Sequence, residues 1–247
     1  MFSWNEDRIR WFDKAVCHTD FYEGIVKKCN EKGLLKDDYE VLDVGCGLGF
    51  LSIALSSYVK SVTALDISEI AIDFLEKECK KRRIANIKTL ICDWKKHKPE
   101  KKYDMVFVCY CGGFGTEDFY KLAKLSKGYV IGIISNRSTG YNFGINEFSQ
   151  SASTLHKKES FNSVKKFFKQ NNISYQNIEH KCEFGQPIDN IEEYKRFMEH
   201  YYDINDDALL KKHSEACLKE NKQGYYLPNI KHSNIIIIEN PMWQEEG

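Results

Sequence analysis

The stretch Val41-Leu42-Asp43-Val44-Gly45-Cys46-Gly47-Leu48-Gly49-Phe50-Leu51 decides the fold. An apolar strand runs into an acid, three glycines follow at alternate positions, and a helical apolar pattern starts at once. Glycine turns this tightly and lets a ligand lie against bare backbone, while the helix behind it offers free N–H groups. The segment therefore reads as a binding turn of the nucleotide type. A phosphate loop needs Gly-x-x-x-x-Gly-Lys-Ser/Thr, and no Lys-Ser/Thr pair follows Gly49. A dinucleotide fingerprint needs Gly-x-Gly-x-x-Gly, and here the third glycine arrives one residue early, with Asp43 ahead of the first.

Outward from this turn, short β-branched runs alternate with helical patterns. Strand 41–44 precedes a helix over 49–58, and strand 61–65 precedes a helix that opens at Ser68 as N-cap and runs to about Lys81. Strands at 87–91, 103–109 and 128–134 follow, with a helix near 117–126 between the last two. This alternation predicts right-handed crossovers and a parallel sheet covered on both faces. Residues 4–30 carry an amphipathic helical pattern. Past residue 135 the rhythm changes, and the polar segment 136–158 reads as a long irregular connection. A helix over 159–171, an extended stretch over 173–184 and a capping box Asn190-x-x-Glu193 opening the next helix come after it. A second, charged helix over 206–220 and a strand over 233–238 close the pattern, so 185–230 reads as an insertion between two late strands.

Composition bounds the function. The chain has 247 residues, enough for one large α/β domain. Lys+Arg and Asp+Glu are equal at 36 each, which argues against a protein whose job is to coat nucleic acid. No basic stretch followed by an apolar one opens the chain, and no apolar run approaches the ~18 residues of a membrane span. Nine cysteines are an odd number, and Cys46, Cys79, Cys92 and Cys109 fall inside core elements rather than at framework spacings. Reduced thiols and a cytoplasmic location are the expectation. Cys109-x-Cys111 is the one close pair, and with no second pair or histidine cluster to complete four ligands, no metal site is expected.

In this setting Asp43-x-Gly45-x-Gly47-x-Gly49 resembles motif I of the class I S-adenosylmethionine-dependent methyltransferases. The resemblance continues in register. Asp66 ends the second strand, where the family places an acid on both ribose hydroxyls, and Ile67 follows it. Leu90-Ile91-Cys92-Asp93-Trp94 ends the third strand and resembles the adenine site, with Asp93 toward the amino group. Trp94 either stacks on the adenine or covers the sheet edge. Tyr103-Asp104-Met105-Val106-Phe107-Val108-Cys109-Tyr110 resembles the family's fourth strand, whose C-terminal end faces the reactive methyl. The likeness covers about residues 35–135, with a looser match of 233–238 to an antiparallel seventh strand. It implies a Rossmann-like fold with a seven-stranded, mainly parallel sheet, N-terminal helices and a helical cap. In residue terms these are a lid over 1–34, a cofactor-binding core over 35–135, an insertion over 185–230 and a last strand over 231–240. The implied cofactor is S-adenosyl-L-methionine, held by Asp43, Gly45, Cys46, Gly47, Gly49, Asp66, Ile67, Cys92, Asp93, Trp94 and Cys109.

Methyl transfer from a sulfonium is an in-line displacement, so alignment of donor and nucleophile supplies most of the catalysis, on the order of 7–11 kcal/mol. A base is needed only for a protonated acceptor. Tyr110 is the candidate lining the methyl, or else a tyrosine at a sheet edge, and His18, His200 and His232 are the titratable candidates for a base, His18 foremost. Trp11 and Tyr22 on the N-terminal side and Tyr201 on the insertion are the candidate acceptor contacts. Asn136-Arg137 either binds an anionic substrate or caps its strand. The fourth strand ends Val-Cys-Tyr-Cys-Gly-Gly, not Asn/Asp-Pro-Pro-Tyr/Phe, which lowers a flipped nucleobase as acceptor. The expectation is methyl transfer to a small molecule, with neither nucleic acid nor membrane as partner. A non-catalytic cofactor-binding module stands as the rival from another class, and protein, tRNA and thiol or arsenical acceptors are further alternatives. Oligomeric state leaves no mark on the sequence.

Overall fold

The computed structural model describes residues 3–136, 143–145 and 160–239. Its centre is the predicted alternation: β1 (Glu40–Val44), α3 (Phe50–Leu55), β2 (Ser61–Asp66), α4 (Glu69–Arg82), β3 (Ile87–Ile91), β4 (Tyr103–Cys109), α5 (Asp118–Leu125) and β5 (Ser126–Ser135). Ahead of it lie α1 (Glu6–Val16) and α2 (Phe21–Glu31), and behind it α6 (Phe161–Gln170), β6 (Gln176–Glu183) and the long β10 (Ile230–Glu239). The seven strands lie in the order β3-β2-β1-β4-β5-β10-β6. The first five are parallel, and β10 runs antiparallel between β5 and β6.

Strand order reverses between β1 and β4, and in open α/β sheets ligands bind in the crevice at the carboxyl ends of strands at such a point. The sheet is buried on both faces. Val41, Phe107, Ile133 and Ile235 pack toward α1, α2 and α3, whereas Leu42, Val106, Val130 and Ile236 pack toward α5 and α6. Continuous apolar runs in β4 and β10 follow from this two-sided cover.

Between β6 and β10 stands the cap, with α7 (Ile191–Tyr202) and α8 (Asp207–Cys217) as expected. The second helix stops short of the predicted residue 220. β8 (Lys219–Asn221) and β9 (Gly224–Leu227) form a hairpin, and β7 (Gln186–Ile188) pairs with β9. Strands of three and four residues are too short to show alternation, so this small sheet left no periodic signal.

Two caps also differ from expectation. Ser68 has the extended backbone of an N-cap, but its side chain makes no capping bond, and its N–H is given to Asp66 Oδ1 at 2.9 Å. Asn190 does accept from Glu193 N at 2.9 Å, whereas the Glu193 carboxylate turns away to Asp189 N, Trp11 Nε1, Lys14 and Arg10. The capping box is thus half formed, and its acid instead ties α7 to α1. Most of the predicted connection 136–158 falls outside the described residues, as does Arg137. Among the described residues no helix is long and apolar enough to cross a membrane.

Candidate functional site

All three glycines of the turn after β1 are in the left-handed region, at φ +66° for Gly45, +54° for Gly47 and +76° for Gly49. A methyl group added at Gly45 would stand 2.1 Å from Cys111 Sγ, and one at Gly49 would stand 2.4 Å from Leu75 Cδ1. Conformation and space both demand glycine there. The turn is laced to its neighbour strand, because Gly45 N and Cys46 N both donate to Leu65 O, at 2.7 and 3.0 Å. Gly47 N donates to Asp66 Oδ2 at 2.8 Å.

Three carboxylates stand at the carboxyl ends of three adjacent strands. Asp43 on β1 is fully buried; its Oδ2 accepts from Ser52 Oγ at 2.6 Å, and its Oδ1 receives no hydrogen bond from the described residues. Burial pushes its carboxyl up to about 7, with the Ser52 hydroxyl opposing the rise and the nearby Asp66 carboxylate adding to it. Asp66 on β2 has one backbone N–H on each oxygen, from Gly47 and Ser68, which fixes its plane and leaves lone pairs for a ligand. Asp93 follows β3 and caps a short 3-10 turn by accepting from Lys95 N at 3.0 Å through Oδ1. Cys92 N donates to Asp66 O at 2.9 Å and ties the third strand end to the second. Ile67, 58% exposed, and the half-buried Trp94 bring apolar surface to the same edge.

A cavity of about 710 Å³ opens over these groups, within the ~300–1,000 Å³ of small-molecule and cofactor sites. Gly45, Cys46, Gly47, Gly49, Asp43, Asp66, Ile67, Cys92, Asp93, Trp94 and Cys109 all line it, so the structure brings together the eleven residues singled out for the cofactor. Its other wall comes from α1, α2 and the ends of β4, β5 and β10 and includes Trp4, Phe12, Tyr22, Tyr110, Ser135 and Lys231. Trp4 lies over the turn, with its ring edge 3.1 Å from where a Gly47 Cβ would be.

Tyr110 sits just past β4 at φ +53°, a strained setting for a residue with a side chain. Its hydroxyl pairs with Ser233 Oγ at 2.5 Å, and its ring lies near-parallel to Phe21 at 6.3 Å. Burial raises the phenol far above its ordinary range, with Cys109 adding to the rise and the Ser233 bond opposing it. Tyr22, also buried, is raised well above its ordinary value for the same first reason. Neither phenol is a proton acceptor near neutral pH.

Three expected contacts lie elsewhere. His18 is exposed, its Nδ1 is 2.9 Å from Lys14 O, and it borders a surface groove with Lys219, Glu220, Asn221 and Tyr226. It is outside the cavity and cannot serve as its base. Trp11, 1% exposed, packs edge-on against Phe197 at 5.5 Å and donates to Glu193 Oε1 at 3.1 Å. Tyr201 packs against the same Phe197 at 4.8 Å. Both belong to the α1–α7 interface. Of the other histidines, His200 accepts from Arg8 Nε at 2.6 Å and His232 lies in the β10–β6 ladder. Cys109 and Cys111, which flank Tyr110 and were expected to line the site, both line the cavity, whereas Ser135 and Lys231 line it without having been singled out as contacts. For Lys231 no signal existed, because a lysine opening a strand reads as a solvated edge.

Among the described residues no group of three or more His, Cys, Asp or Glu side chains is placed to hold a metal ion.

A family model described as a methyltransferase domain matches residues 35–202. The (S)-coclaurine N-methyltransferase of Thalictrum flavum subsp. glaucum is 36% identical over 80 residues, covering 32% of this chain and 22% of that protein. The ribosomal protein L11 methyltransferase of Ruminiclostridium cellulolyticum is 38% identical over 112 residues, covering 42% of this chain and 35% of that protein. The chain thus spans about a third or less of the length of these curated relatives. A crystal structure of coclaurine N-methyltransferase bound to N-methylheliamine and SAH shares the fold, with a TM-score of 0.51 and 15% identity over 87% of this chain and 71% of that one.

Proposed function

The chain belongs to the methyltransferase domain family, and on that premise we propose that it moves a methyl group from S-adenosylmethionine to a small-molecule acceptor. One observation carries the reading. A single cavity joins the glycine turn and its three strand-end carboxylates to an aromatic wall on the opposite side. The donor set suits the cofactor. The buried Asp43 Oδ1, which receives no hydrogen bond from the described residues, stands behind the turn where an ammonium would be neutralised. The Asp66 carboxylate, fixed by two N–H groups, matches a vicinal diol. The Asp93 Oδ2, left over from capping, would accept from an exocyclic amine, with Ile67 and Trp94 flanking the ring.

Bound there, S-adenosylmethionine would supply a methyl on a sulfonium already activated toward displacement. The chain's own part is then positioning and exclusion of water. Trp4 and Phe12 would close the cavity over the turn, and Tyr22 and Tyr110 would wall the reacting side. Both phenols hold their protons, so the acceptor must present its lone pair without help from them. The aromatic cover favours a small molecule over the protein substrate named for one relative. Nine free thiols favour a reducing, cytoplasmic setting.

S-adenosylhomocysteine should raise the melting temperature of the wild-type protein, because it binds the native state. Asp66→Ala should abolish that rise while the protein stays folded by circular dichroism. An undiminished rise in the variant would remove Asp66 from the site. A wild-type protein that binds S-adenosylhomocysteine but releases none of it from S-adenosylmethionine with broad metabolite extracts would be a binding module rather than an enzyme.

A further inference from the structure

The even charge balance of the whole chain conceals one strongly uneven segment. Between residues 77 and 102, eleven Lys and Arg stand against three Asp and Glu, an excess of eight positive charges in a chain whose total is zero. All eleven basic residues are exposed. Lys81 and Arg82 pair with Glu78, Lys95 with Asp118 and Lys101 with Glu40. Lys77, Lys80, Arg83, Lys88, Lys96 and Lys98 form no ion pair among the described residues, and none of the six lines the cavity. Lys88 is near enough to His97 to join burial in holding that imidazole below its ordinary range.

The fold gathers these charges along one border of the molecule. β3 is an edge strand of the large sheet. α4 packs on β2 and β3 from the side of the first core, to which Ala71 and Phe74 belong. Trp94 and Tyr103, which bracket the loop 95–102, pack on the opposite core. The cations therefore flank the edge on both faces. A guard against strand pairing takes a single edge lysine such as Lys88, and the α4 macrodipole calls only for the basic residues of its last turn, Lys80, Lys81 and Arg82. What exceeds those needs is a local positive field of the kind that draws a polyanion.

We propose that this border docks a nucleic-acid strand through its phosphates. Lysines and arginines that neutralise phosphates release the strand's condensed counterions, which drives such binding. A phosphate chain can follow charges around an edge, whereas a flat bilayer meets only one face of it. Of the large apolar side chains in the segment only Ile91 is exposed, too little to anchor in lipid. The inference does not depend on the methyltransferase reading, since the six cations lie outside the cavity.

A fluorescein-labelled oligouridylate titrated with the full chain reports affinity through its anisotropy. With about four phosphates contacted, affinity should fall on the order of fiftyfold between about 50 and 200 mM salt. Lys80→Glu/Arg83→Glu/Lys88→Glu should weaken binding at least about tenfold and flatten the salt dependence. Lys96→Glu/Lys98→Glu reaches the same border from the loop and should weaken binding several-fold, which keeps the test alive if the triple variant does not fold. A charge-matched control on the exposed side of α6, Lys165→Glu/Lys166→Glu/Lys169→Glu, should bind as the wild type does. No binding at about 50 mM salt, an equal loss in the control, or capture by phosphatidylserine vesicles in place of the oligonucleotide would overturn the proposal.

Discussion

Asp43, Asp66 and Asp93 line the same cavity as Tyr22, Tyr110 and Lys231, yet the two sets are built by different means. The first set comes from three consecutive strand ends within about fifty residues, and each carboxylate is fixed by local partners: Ser52, Gly47 and Ser68, Lys95. The second is collected from α2, the end of β4 and the start of β10, more than two hundred residues apart. A site made of turns depends on short-range geometry and tolerates remote change. One made of helices leaning on a sheet depends on every contact that seats those helices.

The largest effect that would sharpen this contrast is at Glu193, which lies in neither set. It is 1% exposed and joins α7 to α1 through Trp11 Nε1, Lys14 and Arg10, with Asp189 N on its other oxygen. Removing the buried carboxylate strands Trp11 Nε1 and Asp189 N, while Lys14 and Arg10 keep Asp189 and Asp7, so Glu193→Ala should cost about 3 kcal/mol in urea unfolding. Its folded population should still be stabilised by S-adenosylhomocysteine, because the turn and carboxylates are seated elsewhere. Loss of ligand binding in a folded Glu193→Ala protein would show that the two walls are not independent.

A smaller effect probes the carboxylate wall. Asp43 is raised by burial to about 7 in the folded chain from an unfolded value of 3.8. The folded state therefore holds a proton that the unfolded state has already lost between those limits, and stability declines as pH rises through that window. Asp43's favourable contribution is complete below about pH 4 and gone above about pH 7. Between pH 5 and pH 8 the wild-type protein should lose roughly 2–3 kcal/mol relative to Asp43→Asn, at about 1.4 kcal/mol per pH unit within the window. Parallel pH profiles for the two proteins would mean that Asp43 ionises freely in the fold. A cationic ligand group beside it should reverse the trend, so S-adenosylhomocysteine should bind more tightly at pH 8 than at pH 6 in the wild type and equally in the variant.

The same contrast explains what could be read from the sequence. Gly45, Gly47 and Gly49 announce themselves because all three have positive φ and lack of space adds to the demand at Gly45 and Gly49, and Asp66 and Asp93 sit at the ends of the next two strands. The residues on the glycine-turn side of the cavity were legible for that reason. On the aromatic side, Trp11 and Phe12 are neighbours on one helix, and only Phe12 reaches the cavity. Helical spacing cannot separate packing from lining when both faces meet protein. Lys231 depends on where β10 begins and on its pairing with Cys182 in β6, a register set by long-range contacts. Glu193 was legible as a cap and not as a bolt, since its true partners lie on a helix about 180 residues earlier.

The smallest effect concerns Tyr110, where the two walls meet. Its hydroxyl is spent on Ser233 at 2.5 Å, its ring supports the Lys231 ammonium, and burial keeps the phenol protonated. Tyr110→Phe keeps the ring and its contact with the Lys231 ammonium and removes one hydrogen bond, leaving a buried Ser233 hydroxyl to find another partner. The cost should be about 1 kcal/mol in stability. Once an acceptor is in hand, kcat should fall by less than about tenfold with an unchanged pH profile, because general acid–base loss typically costs about 10²–10⁴. A hundredfold loss with a displaced pH limb would make the phenol a proton-transfer group and assign the chemistry to the wall here described as scaffold. Tyr110→Leu should do more harm than Tyr110→Phe, since it also removes the ring that packs against Phe21 and the Lys231 ammonium, and the excess should appear as a further loss of stability.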